Sequence, residues 1–303
     1  MKNLLVIGGT GFLGSAIVRE LARRPASADF SFTLPTRREA GAKHLTVLPT
    51  ARVVQCDVHD PATLAQLMAG QDAVISLVGI LKGGEGDPYG KGFARAHVEL
   101  PRKIAAAAKA AGVRRVLHVS ALKTSADAPS GYLRSKADGE AALRDAGLDL
   151  TLFRPSVIFG RGDSFLTLFA RMAAIAPFFP LAGANARFQP VWVEDVAATV
   201  ADSLLCADSI GAAYDLCGPT QYTLRELVSY AAAVAGHPRA IIGLPEAIAW
   251  LQAWAMEFIP NGPMTRDNVR SMRVPSVCDE GCALPFGRVA TALEVVAPTY
   301  LRD

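Results

Sequence analysis

Tyr132 and Lys136 stand four residues apart, twelve residues after Ser120. On a helix that spacing puts the phenol and the ammonium on one face. A nearby ammonium favours phenolate and so lowers a phenol's pKa. Such a phenol can exchange a proton with a substrate alcohol or carbonyl while a serine hydroxyl holds the same oxygen. Ser120, Tyr132 and Lys136 are therefore the candidate catalytic residues. The spacing also suits a plainer arrangement, in which Lys136 hydrogen-bonds a nucleotide ribose and Tyr132 fills space.

A second constellation opens the chain. The apolar run Leu4-Leu5-Val6-Ile7 leads directly into Gly8-Gly9-Thr10-Gly11-Phe12-Leu13-Gly14, and a helix-like pattern follows to Arg24. Glycines at G-x-x-G-x-x-G spacing between strand and helix build a pyrophosphate cradle. Gly8 permits the tight turn, Gly11 the approach of backbone to phosphate, and Gly14 close packing of helix on sheet. Thr10, Phe12 and Leu13 complete the loop, and free N–H groups at the helix start face the anion. The second strand ends in Thr36-Arg37-Arg38, where an NAD site carries a carboxylate for the ribose hydroxyls. Arg37 and Arg38 instead suit the 2′-phosphate of NADP, by bidentate pairing or by stacking on adenine. NADP(H) is the preferred cofactor and NAD(H) the alternative. Asp57, with Val58 after it, either accepts from the adenine amino group or caps the helix near Pro61. Leu77, Val78 and Gly79 pass beside the cofactor ribose, with Gly79 permitting close approach. Arg154-Pro155-Ser156 forms an extended turn that suits the nicotinamide end.

These residues converge only if a parallel sheet brings strand ends together. Strand-like segments fall at Asn3–Ile7, Phe30–Pro35, Arg52–Gln55, Ala73–Leu77, Arg114–Val119 and Asp149–Arg154. Helix-like segments lie between them at Gly11–Arg24, Pro61–Met68, Phe93–Ala111 and Leu133–Ala146. This alternation predicts an α/β fold, a Rossmann-type doubly wound parallel sheet with a smaller interleaved C-terminal lobe. Pro101 interrupts the third helix. The dinucleotide-binding domain covers 1–160 and the substrate or partner lobe 161–303, with segments near 188–218 returning to the core. In that lobe Phe188–Val193 and Ala213–Cys217 read as short strands. Asp195 reads as the cap of an alanine-rich helix, and Thr223 with Glu226 as a capping box.

Composition narrows the function classes. The 303 residues are 51% apolar and 19% charged, with a net charge of +3. Basic residues occur as isolated pairs, so no nucleic-acid footprint is present. The start of the chain lacks the apolar length of a secretory signal, and no window of about 18 residues is apolar enough to span a bilayer. Five scattered cysteines without a ligand pattern read as free thiols in a reducing cytoplasm, and no metal site is expected. His118 reads as a hydrogen-bonded core residue and His97 as facing a loop. Trp250, Trp254 and Phe258 recur at i, i+4, i+8, a stripe read first as core packing. The other reading is a lipophilic pocket or a patch against a membrane partner.

The combined motifs resemble the extended and atypical short-chain dehydrogenase/reductase superfamily. More narrowly, the chain is similar to the complex I accessory-subunit 9 family and its bacterial epimerase-like relatives. The narrower similarity rests on the glycine loop, Leu77-Val78-Gly79-Ile80-Leu81, His118-Val119-Ser120-Ala121-Leu122, Tyr132-Leu133-Arg134-Ser135-Lys136-Ala137 and Arg187-Phe188-Gln189-Pro190-Val191, with Thr291–Glu294 and Pro298–Leu301 at the end. The resemblance implies a tightly held NADPH, contacted by the glycine loop, Arg37-Arg38, Asp57-Val58, Leu77–Gly79, Lys136 and Pro155-Ser156. It implies a structural or assembly role beside a respiratory or quinone-linked membrane system, in the cytoplasm or on the inner face of a membrane. The catalytic alternative is an NAD(P)-dependent reductase, dehydrogenase or sugar-nucleotide epimerase working through Tyr132 and Lys136 on a small, lipophilic substrate. The C-terminal lobe departs from catalytic epimerases in its scarcity of basic residues; Arg161, Arg171 and Arg187 are the remaining anchors for a diphosphate.

Overall fold

Alternating residues of the first strand serve opposite faces of one sheet. A computed structural model describes residues 2–24, 30–259 and 262–302. In β1 (Lys2–Ile7), Leu4 and Val6 pack into one core, and Leu5 and Ile7 into another. A strand buried on both faces reads as a continuous apolar run, as this one does. The first core joins the sheet to α1 (Phe12–Ala22) and α7 (Val193–Leu205) through Ile17, Leu21, Val196 and Val200. The second joins it to α2 (Pro61–Met68), α4 (Leu100–Ala111) and α5 (Gly131–Arg144) through Leu64, Ile104 and Leu143.

The remaining sheet strands are β2 (Phe30–Thr36), β3 (Ala51–Gln55), β4 (Ala73–Ser76), β5 (Arg115–Val119), β6 (Asp149–Pro155) and β11 (Ala213–Leu216). Their order is β11-β6-β5-β4-β1-β2-β3, and every pair is parallel. The expected Rossmann-type sheet is thus present. Chain direction across the sheet reverses between β1 and β4. At such a switch point the connections leave to opposite faces and open a crevice at the strands' carboxyl ends.

The helix broken near Pro101 consists of α3 (Lys91–Phe93), a π-helical stretch (Ala94–Glu99) and α4. Proline has no N–H to give the carbonyl one turn earlier, which is that of His97. Gly139 of α5 crosses there so closely that a Cβ would lie 2.0 Å from the His97 carbonyl oxygen. The His97 ring is buried. Its Nε2 accepts from the Ile80 N–H at 3.0 Å, so Nδ1 carries the proton toward Ser135 Oγ at 2.9 Å. His118, inside β5, faces Ser76 Oγ at 3.1 Å. Burial, reinforced by Lys136, pushes His97 down to about 2 and His118 to about 3.

The second half builds the lobe from short pieces: β7 (Ile158–Phe159), α6 (Leu166–Ile175), β8 (Phe178–Leu181), β9 (Arg187–Phe188) and β10 (Val191–Trp192). After β11 come β12 (Tyr222–Thr223), α8 (Leu224–Val234), β13 (Ala240–Gly243), α9 (Glu246–Glu257), α10 (Arg266–Ser271), α11 (Leu293–Val296) and α12 (Pro298–Leu301). The capping box of Thr223 and Glu226 starts α8 as expected.

Four expectations are corrected here. Phe188–Val193 is two strands, because Gln189 and Pro190 turn the chain: β9 pairs with β12 and β10 with β7. Asp195 does not cap α7. It lies within the first turn and accepts from the Thr291 N–H at 2.7 Å, tying the C-terminal segment to the helix. Cys217 and Cys278 are not free thiols but form a disulfide with Cα atoms 6.1 Å apart, and Gln189 Oε1 accepts from the Cys278 N–H at 3.0 Å. The stripe on α9 is not core packing, since Trp254 and Phe258 are 45% and 72% exposed.

Two consequences can be measured. Gly139→Ala must separate α5 from the His97 carbonyl, at a cost of about 1–3 kcal/mol; an unchanged denaturation midpoint would contradict this packing. The buried histidines stay neutral in the folded chain while the unfolded chain protonates them below about 6.5. Their contribution is present above that pH and is lost as pH falls toward 3, by about 2 kcal/mol per histidine at about pH 5. Urea midpoints at neutral and acidic pH read the loss, which His118→Asn should reduce.

Candidate functional site

The candidate residues lie at the carboxyl ends of adjacent strands. Gly8 follows β1, Arg37 and Arg38 follow β2, and Asp57 comes two residues after β3. Leu77, Ser120 and Ser156 follow β4, β5 and β6. Gly8 sits at φ +88°, and a Cβ there would meet Leu77 Cβ at 3.2 Å. Gly14 is more constrained, since a Cβ would fall 2.3 Å from the Gly8 carbonyl oxygen and 2.6 Å from Gly9 Cα. Helix α1 therefore rests directly on the loop backbone. Gly11 is its N-cap, and no side chain satisfies the exposed amides there. Uncapped N–H groups at a helix start suit an anion, so the loop fits a dinucleotide pyrophosphate. Thr10 Oγ1 faces Thr36 Oγ1 at 3.4 Å, which links the loop to the end of β2.

Arg37 and Arg38 are exposed past that strand end, and no ion pair is recorded for either among the described residues. Asp57 does not cap α2, because Asp60 does so by accepting from the Thr63 N–H at 2.8 Å. Asp57 instead closes a turn on the His59 N–H at 2.9 Å and meets Arg95 at 3.3 Å. Val58 and Val78 pack against the second core.

A cavity of about 400 Å³ borders the start of α1. Thr10, Gly11 and Phe12 form one wall; His44, Arg161 and Tyr300 contribute from the β2–β3 connection and the lobe. Asp163 organises the lobe side. It accepts from the N–H groups of Gly160, Phe165 and Thr167 and from the Tyr300 hydroxyl at 2.8 Å. Ser120, Tyr132 and Lys136 do not line this cavity.

Helix α5 carries the other end of the site. Ser130 caps it, and the buried Asp267 of α10 takes the N–H groups of Gly131 at 2.7 Å and Tyr132 at 3.0 Å. Lys136 is buried and donates to the Val119 carbonyl at 3.2 Å, with its Nζ 3.3 Å from where a Gly79 Cβ would stand. One turn on, buried Glu140 pairs with Arg154 at 2.6 Å and Arg144 at 2.8 Å. Burial raises the Glu140 carboxyl, but Arg154, Ser120 and Arg144 outweigh it and hold it at about 2. The Ser120 hydroxyl is buried; it lies near that carboxylate without a well-formed hydrogen bond. Ser156 Oγ donates to the Ser276 carbonyl at 2.7 Å, and the Pro155 carbonyl accepts from the Leu122 N–H at 3.0 Å.

Tyr132 and Lys136 do not form the activated pair their spacing suggested. The Tyr132 ring meets His97 and Phe93 edge-on, with centroids 5.5 and 6.1 Å away. No hydrogen bond joins its hydroxyl to Ser120 or Lys136 among the described residues. Burial lifts the phenol to about 12, whereas burial lowers Lys136 to about 8 despite Glu140. Desolvation of the phenol thus opposes the activation by Lys136 that the spacing suggested. The supporting residues Asp267, Glu140, Arg154 and Asp163 carried no motif. Arg154, basic at the end of the run Leu150–Phe153, was visible as part of the Arg154-Pro155-Ser156 turn, whereas Glu140, Asp163 and Asp267 sit among polar neighbours in the sequence and gave no signal.

Known proteins place this geometry. The NAD(P)H-binding family model matches residues 8–165. The chain is 35% identical over 233 residues to the mitochondrial NADH dehydrogenase [ubiquinone] 1 alpha subcomplex subunit 9 of Rattus norvegicus, covering 74% of this chain. It spans only 59% of that relative's length. It is 31% identical over 260 residues to a ceramide reductase of Caulobacter vibrioides, covering 82% of this chain and 77% of the relative. An NADPH-dependent quinone oxidoreductase of Escherichia coli, solved with NADPH, shares the fold at a TM-score of 0.77 and 24% identity over 99% of this chain and 100% of its own. With the glycine cradle, the strand order and more than half its length matched, the chain belongs to the NAD(P)H-binding family.

Proposed function

We propose that this protein retains NADP(H) as a bound component of a membrane-linked redox system and does not turn it over rapidly. The observation that carries this reading is the placement of Tyr132: its ring packs edge-on against Phe93 and His97, and among the described residues no hydrogen bond joins its hydroxyl to Ser120 or Lys136. A proton donor and acceptor for carbonyl chemistry needs a pKa near the working pH, and Tyr132 lies far above it. The likeness to a complex I subunit supports the same reading and suggests a respiratory or quinone-linked partner.

The cradle residues Gly8, Thr10, Gly11, Phe12, Leu13 and Gly14 are proposed to hold the pyrophosphate. Arg37 and Arg38 take the 2′-phosphate, and Asp57 with Val58 borders the adenine. Leu77, Val78 and Gly79 flank the ribose, Lys136 hydrogen-bonds it, and Pro155 and Ser156 border the nicotinamide. A bound nicotinamide supplies hydride transfer when a substrate reaches it.

A second reading is catalytic: a reductase, dehydrogenase or epimerase acting on a small, lipophilic molecule. The buried Ser120 hydroxyl, poorly partnered next to the Val119 carbonyl that Lys136 bonds, favours it, as does the likeness to a ceramide reductase. In that reading Ser120 holds the substrate oxygen and Tyr132 exchanges the proton.

The purified chain is expected to release NADP(H) on denaturation, identified by absorbance and mass, and to oxidise it negligibly with quinones or lipophilic carbonyls. Tyr132→Phe should keep its nucleotide. Rapid turnover in the parent that Tyr132→Phe abolishes would overturn the first reading and establish the second. Arg37→Ser with Arg38→Ser should weaken NADPH about tenfold or more, through lost charge-assisted bonds, and leave NADH little changed. Equal effects on both nucleotides would remove the assigned role of the arginines.

A further inference from the structure

Helix α9 is inverted for a surface helix. Its inward face is made of small residues, Ala249 and Ala253, both buried. Its outward face is apolar throughout: Ile248, Leu251, Trp254 and Phe258 are 50, 61, 45 and 72% exposed. Ala247 and Ala255 lie exposed between them, so no polar side chain interrupts the stripe. A contiguous apolar face of this kind on a folded chain marks an interaction surface.

The charges around the stripe identify what it meets. Glu246 and Glu257, the acidic residues of α9, are each paired by an arginine from the α10 region, Arg273 at 2.5 Å and Arg266 at 2.8 Å. Arg270 lies over the Trp250 ring at 4.9 Å and is itself paired with Glu85 at 2.9 Å, so the charges of α9 and α10 largely cancel. Gln252 Nε2 donates to the Pro180 carbonyl at 3.3 Å, tying α9 to the β8–β13 pair. That pair exposes Phe178 and Ile242. The segments around it carry no acidic residue from 165 to 193 or from 227 to 245, yet they contribute Arg171 and Arg239. At the other end of the helix the Lys82 ammonium caps the Gly262 carbonyl, next to exposed Leu81. The charge left unbalanced around this apolar, tryptophan-bearing stripe is therefore positive, from Arg171, Arg239 and Lys82 rather than from the paired arginines of the α10 region. That pairing suits the headgroup and acyl boundary of an anionic bilayer, where aromatic rings settle and each basic residue adds attraction.

We infer that the α9 face docks this protein on an anionic lipid surface, lying in the interface without crossing it. No helix among the described residues is long and apolar enough to span a membrane. The segment Leu77–Lys82 runs from the candidate nucleotide site to this face, so docking would set the nicotinamide end beside the bilayer. The inference rests on the membrane-linked reading for its biological sense, and nucleotide retention scored on the same samples lets the two fail separately.

The test is flotation of the full chain with vesicles of phosphatidylcholine alone and of phosphatidylcholine mixed with phosphatidylglycerol. The parent should float with the mixed vesicles and weakly or not at all with the neutral ones. Leu251→Glu with Phe258→Glu should lose flotation while retaining nucleotide, and Arg171→Gln should weaken it about fivefold, one charge at the surface being lost. A bromine-labelled lipid should quench fluorescence in the parent and much less in Trp254→Phe, a readout independent of the glutamate variants. Absence of flotation and of quenching overturns the inference. A dimer in solution that the glutamate variants split, with no vesicle binding, overturns it as well and assigns the face to a second copy.

Discussion

The contact on which the site depends is backbone against backbone. At Gly14, α1 lies on Gly8 and Gly9 with no room for a single carbon. This fixes where the helix starts and leaves its first amides pointing over the end of β1. It also fixes the rest of α1, whose far side packs on α7 and whose Arg19 and Arg24 reach Glu194 and Asp202 of that helix. Because α7 follows β10 and takes the C-terminal segment through Asp195, the lobe inherits its position from the same contact. The cavity beside the loop, walled partly by Arg161 and Tyr300, exists because both halves are set against α1.

A second constraint governs the nicotinamide end, and it is electrostatic. Helix α5 buries a lysine and a glutamate one turn apart. The glutamate is kept ionised by Arg154 and Arg144, while the lysine has only a backbone carbonyl and the more distant carboxylate. Desolvation therefore falls hardest on the lysine. The sequence distance from Tyr132 to Lys136 describes a helical face, but the dielectric of that face decides which group titrates first. A phosphate or ribose hydroxyl brought by a bound nucleotide would change that environment. The chain's own groups favour holding over proton exchange.

The sheet was legible because its physics is local. Short apolar runs alternating with helical periods leave little choice beyond a covered parallel sheet, and the glycines mark the one turn that cannot tolerate Cβ atoms. Legibility ended where partners are distant in sequence. Asp267 caps α5 from 136 residues away, Cys278 meets Cys217 across 61 residues, and Asp195 receives a donor 96 residues on. A local rule made Asp195 a cap, yet Trp192 starts the helix and the carboxylate was free to bind elsewhere. The aromatic stripe failed for a related reason. Periodicity shows that Trp254 and Phe258 share a face, but the inward side was already filled by alanines, and nothing in the period says which side faces in.

The lobe and the sheet are coupled through one short path. Helix α9 packs on α10 through Trp250 and its arginines, and α10 supplies Asp267, whose carboxylate holds the first two amides of α5. Tyr132 contributes one of those amides. Any displacement of α9 against α10 thus reaches Tyr132 through a buried carboxylate rather than through a flexible loop. A hydrogen bond donated by a helix-start amide to a charged acceptor is among the stronger neutral-donor contacts, so the link is stiff. The same path explains why Tyr132 is firmly placed although its hydroxyl is not hydrogen-bonded to Ser120 or Lys136 among the described residues. Its backbone is fixed by the lobe and its ring by Phe93 and His97, and its hydroxyl is the one part of the residue that the fold leaves unassigned.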